Sequence, residues 1–129
     1  MNDPLDEILA LVSQSKAELA QQIGWKDVAT RERVKAARWQ LSAAIGAAQI
    51  GDYQEALRLF CSLQDILEDG NLLASKWAEI YLAQAICYAR MGNTSEMKQA
   101  WDKAQELEPD NDKLKEIAIH LGLVQVKPR

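Results

Sequence analysis

Two short segments constrain this fold more than any others: Gly51-Asp52-Tyr53-Gln54-Glu55 and Gly92-Asn93-Thr94-Ser95-Glu96. In each, a glycine can take the left-handed conformation that ends a helix. The next residue can cap a following helix, and a glutamate three residues later completes a capping box. Apolar residues at helical spacing flank both segments, so each reads as the turn of an antiparallel helix pair. A third stop lies at Glu108-Pro109-Asp110-Asn111, where the proline disfavours helical geometry at Glu108 and Asp110 is a good cap. A chain of 129 residues built from such pairs is expected to be all-α. Composition agrees, with only three prolines and one phenylalanine against abundant Ala, Leu, Gln and Ile.

Six helices follow from these stops. The first is expected from about Pro4 to Ile23, capped by Asp3, with Leu5, Ile8, Val12, Leu19 and Ile23 on one stripe. Gly24-Trp25-Lys26-Asp27 forms a break. The second is expected from Thr30 to Ile50 with two apolar faces, Val34/Leu41/Ile45/Ala48 and Trp39/Ala43/Gly46/Ile50, as for a helix packed between neighbours. The others are expected over Tyr53 to Glu68, Leu72 to Met91, Thr94 to Leu107, and Asn111 to about Gly122. Leu123 to Arg129 is a short tail.

The spacing of specific residues resembles the tetratricopeptide repeat, a helix–turn–helix unit of about 34 residues. Tyr81, Ala85, Tyr88, Gly92, Trp101, Ala104 and Pro109 fall at the family's positions, with Met97 in place of the usual alanine and Gln84 in place of the usual leucine. A degenerate copy lies upstream, where Gly51, Ala56 and Phe60 repeat the spacing of Gly92, Met97 and Trp101. Its turn glycine lies 41 residues before the second, and Glu68-Asp69-Gly70-Asn71 accounts for the longer connection. The resemblance covers about residues 38–121. It implies a six-helix antiparallel α-solenoid-like single domain, residues 1–129. Within it, residues 3–50 hold the N-terminal helices, 38–71 the degenerate repeat, 78–111 the second repeat, 111–122 a capping helix and 123–129 the tail.

The resemblance also implies where a partner lies, because the first helix of each repeat lines a concave groove. Those positions are Arg38, Leu41, Ser42, Ile45 and Gln49, then Glu79, Leu82, Ala83, Ile86 and Arg90. Chaperone-binding members clamp a terminal carboxylate with Lys and Asn there. Leu41, Ile45, Leu82 and Ile86 cannot make those bonds, so a carboxylate clamp is rejected. An apolar groove suits an amphipathic helix or an extended apolar segment. The competing reading is that the N-terminal helix fills the groove as core.

Other residues carry weaker signals. Between Lys26 and Arg38, five basic residues face Asp27 and Glu32. Flanked by Trp25 and Trp39, they suit an acidic partner or a nucleic acid, or else form a solvated face with both indoles partly in the core. The net charge of −4 argues against general nucleic-acid binding. Trp101 is expected in the core, Trp77 in the core or between helices, and Trp25 is the best exposed anchor. Cys61 and Cys87 lie in apolar stretches and are expected to be buried free thiols. His120 is the only histidine, and with no ligand motif or catalytic constellation neither a metal, a cofactor nor an enzyme activity is expected. Glu106, Glu108, Asp110 and Asp112 make an acidic connection. No signal peptide or apolar run of about 18 residues is present, so a cytoplasmic protein with no membrane span is expected.

The sequence thus points to a non-enzymatic protein–protein interaction module, an adaptor, chaperone or assembly factor. The alternative is a self-associating helical subunit, with the short C-terminal helix and the tail Leu123-Val124-Gln125-Val126 as its contact; a third reading is a nucleic-acid-associated protein using the basic second helix.

Overall fold

A side chain starts five of the six helices. In the computed structural model, which describes residues 3–22, 27–67, 72–120 and 122, the helices are α1 (Pro4–Gln22), α2 (Val28–Gln49), α3 (Tyr53–Ile66), α4 (Ala74–Arg90), α5 (Thr94–Leu107) and α6 (Asp112–His120). Asp3, Asp27, Asp52, Asn93 and Asn111 accept backbone N–H groups at the starts of α1, α2, α3, α5 and α6, at 3.0 to 3.3 Å. Each bond satisfies a donor that the first helical turn leaves without a partner. Asp27 explains why α2 begins at Val28 rather than at the expected Thr30; its other carboxylate oxygen takes the Thr30 hydroxyl at 2.6 Å.

The two glycine turns are built alike. Gly51 has φ +84° and Gly92 φ +75°, conformations that only glycine adopts freely. In the first turn the amides of Gly51 and Asp52 donate to the carbonyls of Ala48 and Ala47 at 3.1 and 2.9 Å. In the second, Gly92 and Asn93 donate to Ala89 and Tyr88 at the same two distances. This is the Schellman arrangement, and it folds α2 back on α3 and α4 back on α5.

The start of α4 is served from elsewhere in the chain. Leu73 offers no side-chain cap. Instead its N–H donates to Glu18 Oε1 of α1 at 3.1 Å. Because Leu73 is extended and Leu72 is buried, α4 begins at Ala74, two residues later than expected.

α1 packs along α2 and α4 and touches α6. Leu5, Ile8, Leu9, Val12 and Leu19 are all buried, and they share one core with Leu41, Leu82, Ile86 and Ile117. Burying five such side chains contributes on the order of 10 kcal/mol before the ordering entropy is counted. Phe60, Leu63, Ala85, Ala100, Trp101 and Ala104 close the other side of α4. The result among the described residues is an all-α bundle of six helices around a single core.

Ser15 lies fully buried on α1, and its hydroxyl has no hydrogen-bond partner. A buried hydroxyl without a partner costs about 1–3 kcal/mol. Ser15→Ala is therefore expected to raise unfolding stability by about 1 kcal/mol in urea titration. An equal loss would show that the hydroxyl is bonded.

Candidate partner-binding site

The ten residues expected to bind a partner divide into three groups. Glu79, Leu82, Ala83 and Ile86 on α4 are buried, as are Leu41 and Ile45 on α2. α1 lies across both of these helices, so the apolar floor of the expected groove is covered. Arg90 is exposed but engaged. It pairs with Asp3, donates to Tyr53 Oη at 3.1 Å, and stacks its guanidinium 5.7 Å from the Tyr53 ring centre. It thereby fastens the N-terminus of α1 to α3 and α4.

The third group, Arg38, Ser42 and Gln49, lines an open groove between α1 and α2, with the buried Ile45 beneath it. One cleft of about 440 Å³ is walled by Lys16, Lys35, Arg38, Trp39 and Ser42. A second, of about 420 Å³, continues it past Lys16 and Ser42 to Ala10, Ser13, Gly46 and Gln49, with Asp6 at its edge. Buried Leu9 and Ile45 also line this second stretch, between the small side chains of Ala10, Ser13, Ser42 and Gly46. A Cβ added at Gly46 would meet nothing within 4 Å.

Trp39 stands at the basic end and is 79% exposed. This corrects the expectation that its indole lies partly in the core. The second apolar face expected for α2 is open: Ile50 is 82% exposed, Ala43 is also exposed, and among the described residues nothing packs over them. α2 has one buried face because α1 and α3 both pack toward its Val34/Ala37/Leu41/Ala44/Ile45/Ala48 side. The sequence signal was present, since Trp39, Ala43, Gly46 and Ile50 share a helical stripe. Periodicity groups side chains but does not say what covers them. Trp25 and Lys26 lie outside the described residues, as do Ile23, Glu68-Asp69-Gly70-Asn71 and Leu123–Arg129.

The electrostatics of the α1 contact are mixed. Glu79 Oε1 sits 3.1 Å from Lys76 Nζ without hydrogen-bond alignment, and Lys76 also donates to Gln14 of α1 at 3.0 Å. Desolvation by burial is the main influence on Glu79 and raises its pKa, with Lys76 opposing. Its stabilising contribution is fully present below the ordinary glutamate pKa and is lost as pH rises through the raised value. Asp3 behaves oppositely. The Arg90 hydrogen bond is the largest influence on it and lowers its pKa, so its contribution is present above the ordinary aspartate pKa and is lost as pH falls through the lowered value.

A further cleft, about 570 Å³, opens between α3, α4 and α5 beside Gln64, Leu67, Trp77, Tyr81 and Leu107. Its polar groups are spoken for within the chain. Gln64 donates to the Tyr81 hydroxyl, and Lys103 lies 5.5 Å from the Tyr81 ring centre. Trp77 is half-buried and Trp101 is buried.

Cys61 is exposed rather than buried as expected, because it occupies the rim of the neighbouring polar cleft. Its thiol donates to Gln84 Oε1 at 3.7 Å. Desolvation raises its pKa, and burial pushes that of Cys87 up to about 12, so neither is poised as a thiolate. His120 is exposed, and among the described residues no group of three His, Cys, Asp or Glu side chains is placed to hold a metal ion. No helix among the described residues is long and apolar enough to cross a membrane. A scan against protein-family models, a search of the curated proteins and a search of the solved structures each found no match.

Proposed function

We propose that this chain is a non-enzymatic protein–protein interaction module of tetratricopeptide-repeat type. Its partner surface is the open groove between α1 and α2. One observation carries the reading: Arg38, Ser42 and Gln49 line a groove, open among the described residues, that ends at a tryptophan 79% exposed to solvent. Exposed indoles beside basic side chains are the residue types that dominate binding energy at protein interfaces. The paired Schellman turns and the helix–turn–helix order support the repeat assignment, and a cytoplasmic adaptor, chaperone or assembly factor fits that architecture.

The remaining groove positions have a different part in this reading. Leu41, Leu82, Ala83 and Ile86 hold α1, and α1 supplies the second wall of the partner groove. The repeat pairs thus receive one amphipathic helix from their own chain and offer its outer edge to a second protein.

Gly46→Leu tests the reading. The position lies in the last turn of α2 with open space at its Cβ, so leucine improves helix propensity by up to roughly 0.5–1 kcal/mol while filling the groove. The variant is expected to unfold at equal or higher denaturant than wild type. It is also expected to lose the protein that wild type retains in affinity purification from native extract. Retention of that partner at unchanged affinity by folded Gly46→Leu would place the interface elsewhere.

A further inference from the structure

We infer that the occupant of the α1–α2 groove is an acidic amphipathic helix, whose carboxylates meet Lys16, Lys35 and Arg38 and whose apolar face covers Trp39. This rests on the reading above and adds the chemistry of the partner.

Shape argues for a helix. The two clefts share Lys16 and Ser42 and so form one trough. From Lys35 to Gln49 along α2 it runs about 21 Å at 1.5 Å per residue, the length of about four helical turns. Among the described residues there is no strand, so no sheet edge is offered to an extended peptide. Buried Leu9 and Ile45 underlie the trough, and the small side chains of Ala10, Ser13, Ser42 and Gly46 beside them leave room for close helix approach, at the 8–10 Å axial separation of packed helices.

Charge argues for acid. The protein carries net −4, yet the charged side chains lining the trough are Lys16, Lys35, Arg38 and Asp6. Among the described residues the Lys16 ammonium has no side-chain partner. Lys35 meets only Glu32, at 3.6 Å and in solvent, where an ion pair contributes little. Arg38 commits its Nε to the Lys16 carbonyl at 3.2 Å, which aims the guanidinium and leaves its terminal donors for a carboxylate.

The cations cluster at the Trp39 end and Asp6 marks the other. That polarity matches one helix direction, with the partner's negative C-terminal end over Lys35 and Arg38 and its positive N-terminal end toward Asp6. A nucleic acid would also meet an indole and three cations. The acidic balance of the chain, with Asp6 and Glu32 beside the trough, disfavours a continuous phosphate backbone.

The test is fluorescence anisotropy with three labelled probes. The first is a designed helical peptide of about 15 residues, long enough for the trough, with a leucine stripe flanked by glutamates. The second is its glutamine counterpart, and the third is oligothymidylate of similar length. The acidic peptide is expected to bind wild type at least about 10-fold more tightly than the glutamine peptide, and to weaken as salt rises. Lys35→Glu and Trp39→Ala, both at exposed positions and checked for folding by circular dichroism, are each expected to raise its Kd about 10-fold or more.

Equal affinity for the glutamine peptide, with both peptides lost in Gly46→Leu, would overturn the acidic partner and leave the groove reading standing. Peptide binding unaffected by Gly46→Leu, or no binding of either peptide, would overturn both. Binding of oligothymidylate that depends on Trp39 and on salt, without peptide binding, would make the trough a single-strand nucleic-acid surface.

Discussion

The double variant Leu82→Glu/Ile86→Glu is expected to unfold the protein. Both side chains have no solvent exposure and lie on the face of α4 that meets α1. Each substitution removes a buried apolar side chain, worth about 2–5 kcal/mol by truncation alone. It then puts a carboxylate where no cation is placed to pair with it. The two truncations alone approach the roughly 5–15 kcal/mol that holds a typical domain together, and two unpaired buried carboxylates add to that loss. Far-ultraviolet circular dichroism at neutral pH should show loss of the helical signal. A folded, fully helical double variant would mean that α1 does not cover this face. Trp39→Ala provides the contrast. Its side chain has no core to leave, so stability is expected to change by no more than about 0.5 kcal/mol.

The second large effect is expected on α1 itself. Ile8 is fully buried in the same core as Leu82 and Ile86. Ile8→Ala should cost about 2–4 kcal/mol in urea denaturation, the range for a core residue. The m-value should stay unchanged, because α1 unfolds together with the rest. An interfacial helix that detaches separately would give a smaller loss and a second transition.

These two expectations turn on the one arrangement the sequence left open. The helix hairpins were legible because their signals are local. Gly51 and Gly92 stop one helix, and Asp52 and Asn93 cap the next within three residues. α5 matches its expected bounds, Thr94 to Leu107, for the same reason. Asp27 was within reach of the same logic, since a cap three residues before Thr30 moves the helix start to Val28. The position of α1 was not legible. Leu5, Ile8, Val12 and Leu19 announce a helix with one buried face, but an amphipathic stripe does not name its counterpart. That choice depends on contacts such as Glu18 with Leu73 and Asp3 with Arg90, which are 55 and 87 residues apart in the chain.

The candidate site inherits that limit. The sequence identified a helix face on α2, and Arg38, Ser42 and Gln49 of it do line open space, while Leu41 and Ile45 are buried. It did not identify Lys16 or Ala10, because the second wall of the groove is the helix whose location was undetermined. Trp39 was singled out as an indole beside basic residues, yet expected partly in the core. Whether a tryptophan on a two-faced helix is covered depends on how many neighbours the helix finds. Among the described residues α2 finds α1 and α3 on one side and none over Trp39.

Native-state hydrogen exchange of α1 tests the central claim most directly. If α1 is a fixed wall of the bundle, the amides of Ile8 to Val12 should exchange only through global unfolding. Their protection should then match that of Leu82 to Ile86 in α4. Exchange of the α1 amides several kcal/mol below the α4 amides, through local detachment, would contradict it. The concave face of α2 and α4 would then be the surface that opens to a partner, and the groove on the outer edge of α1 would not.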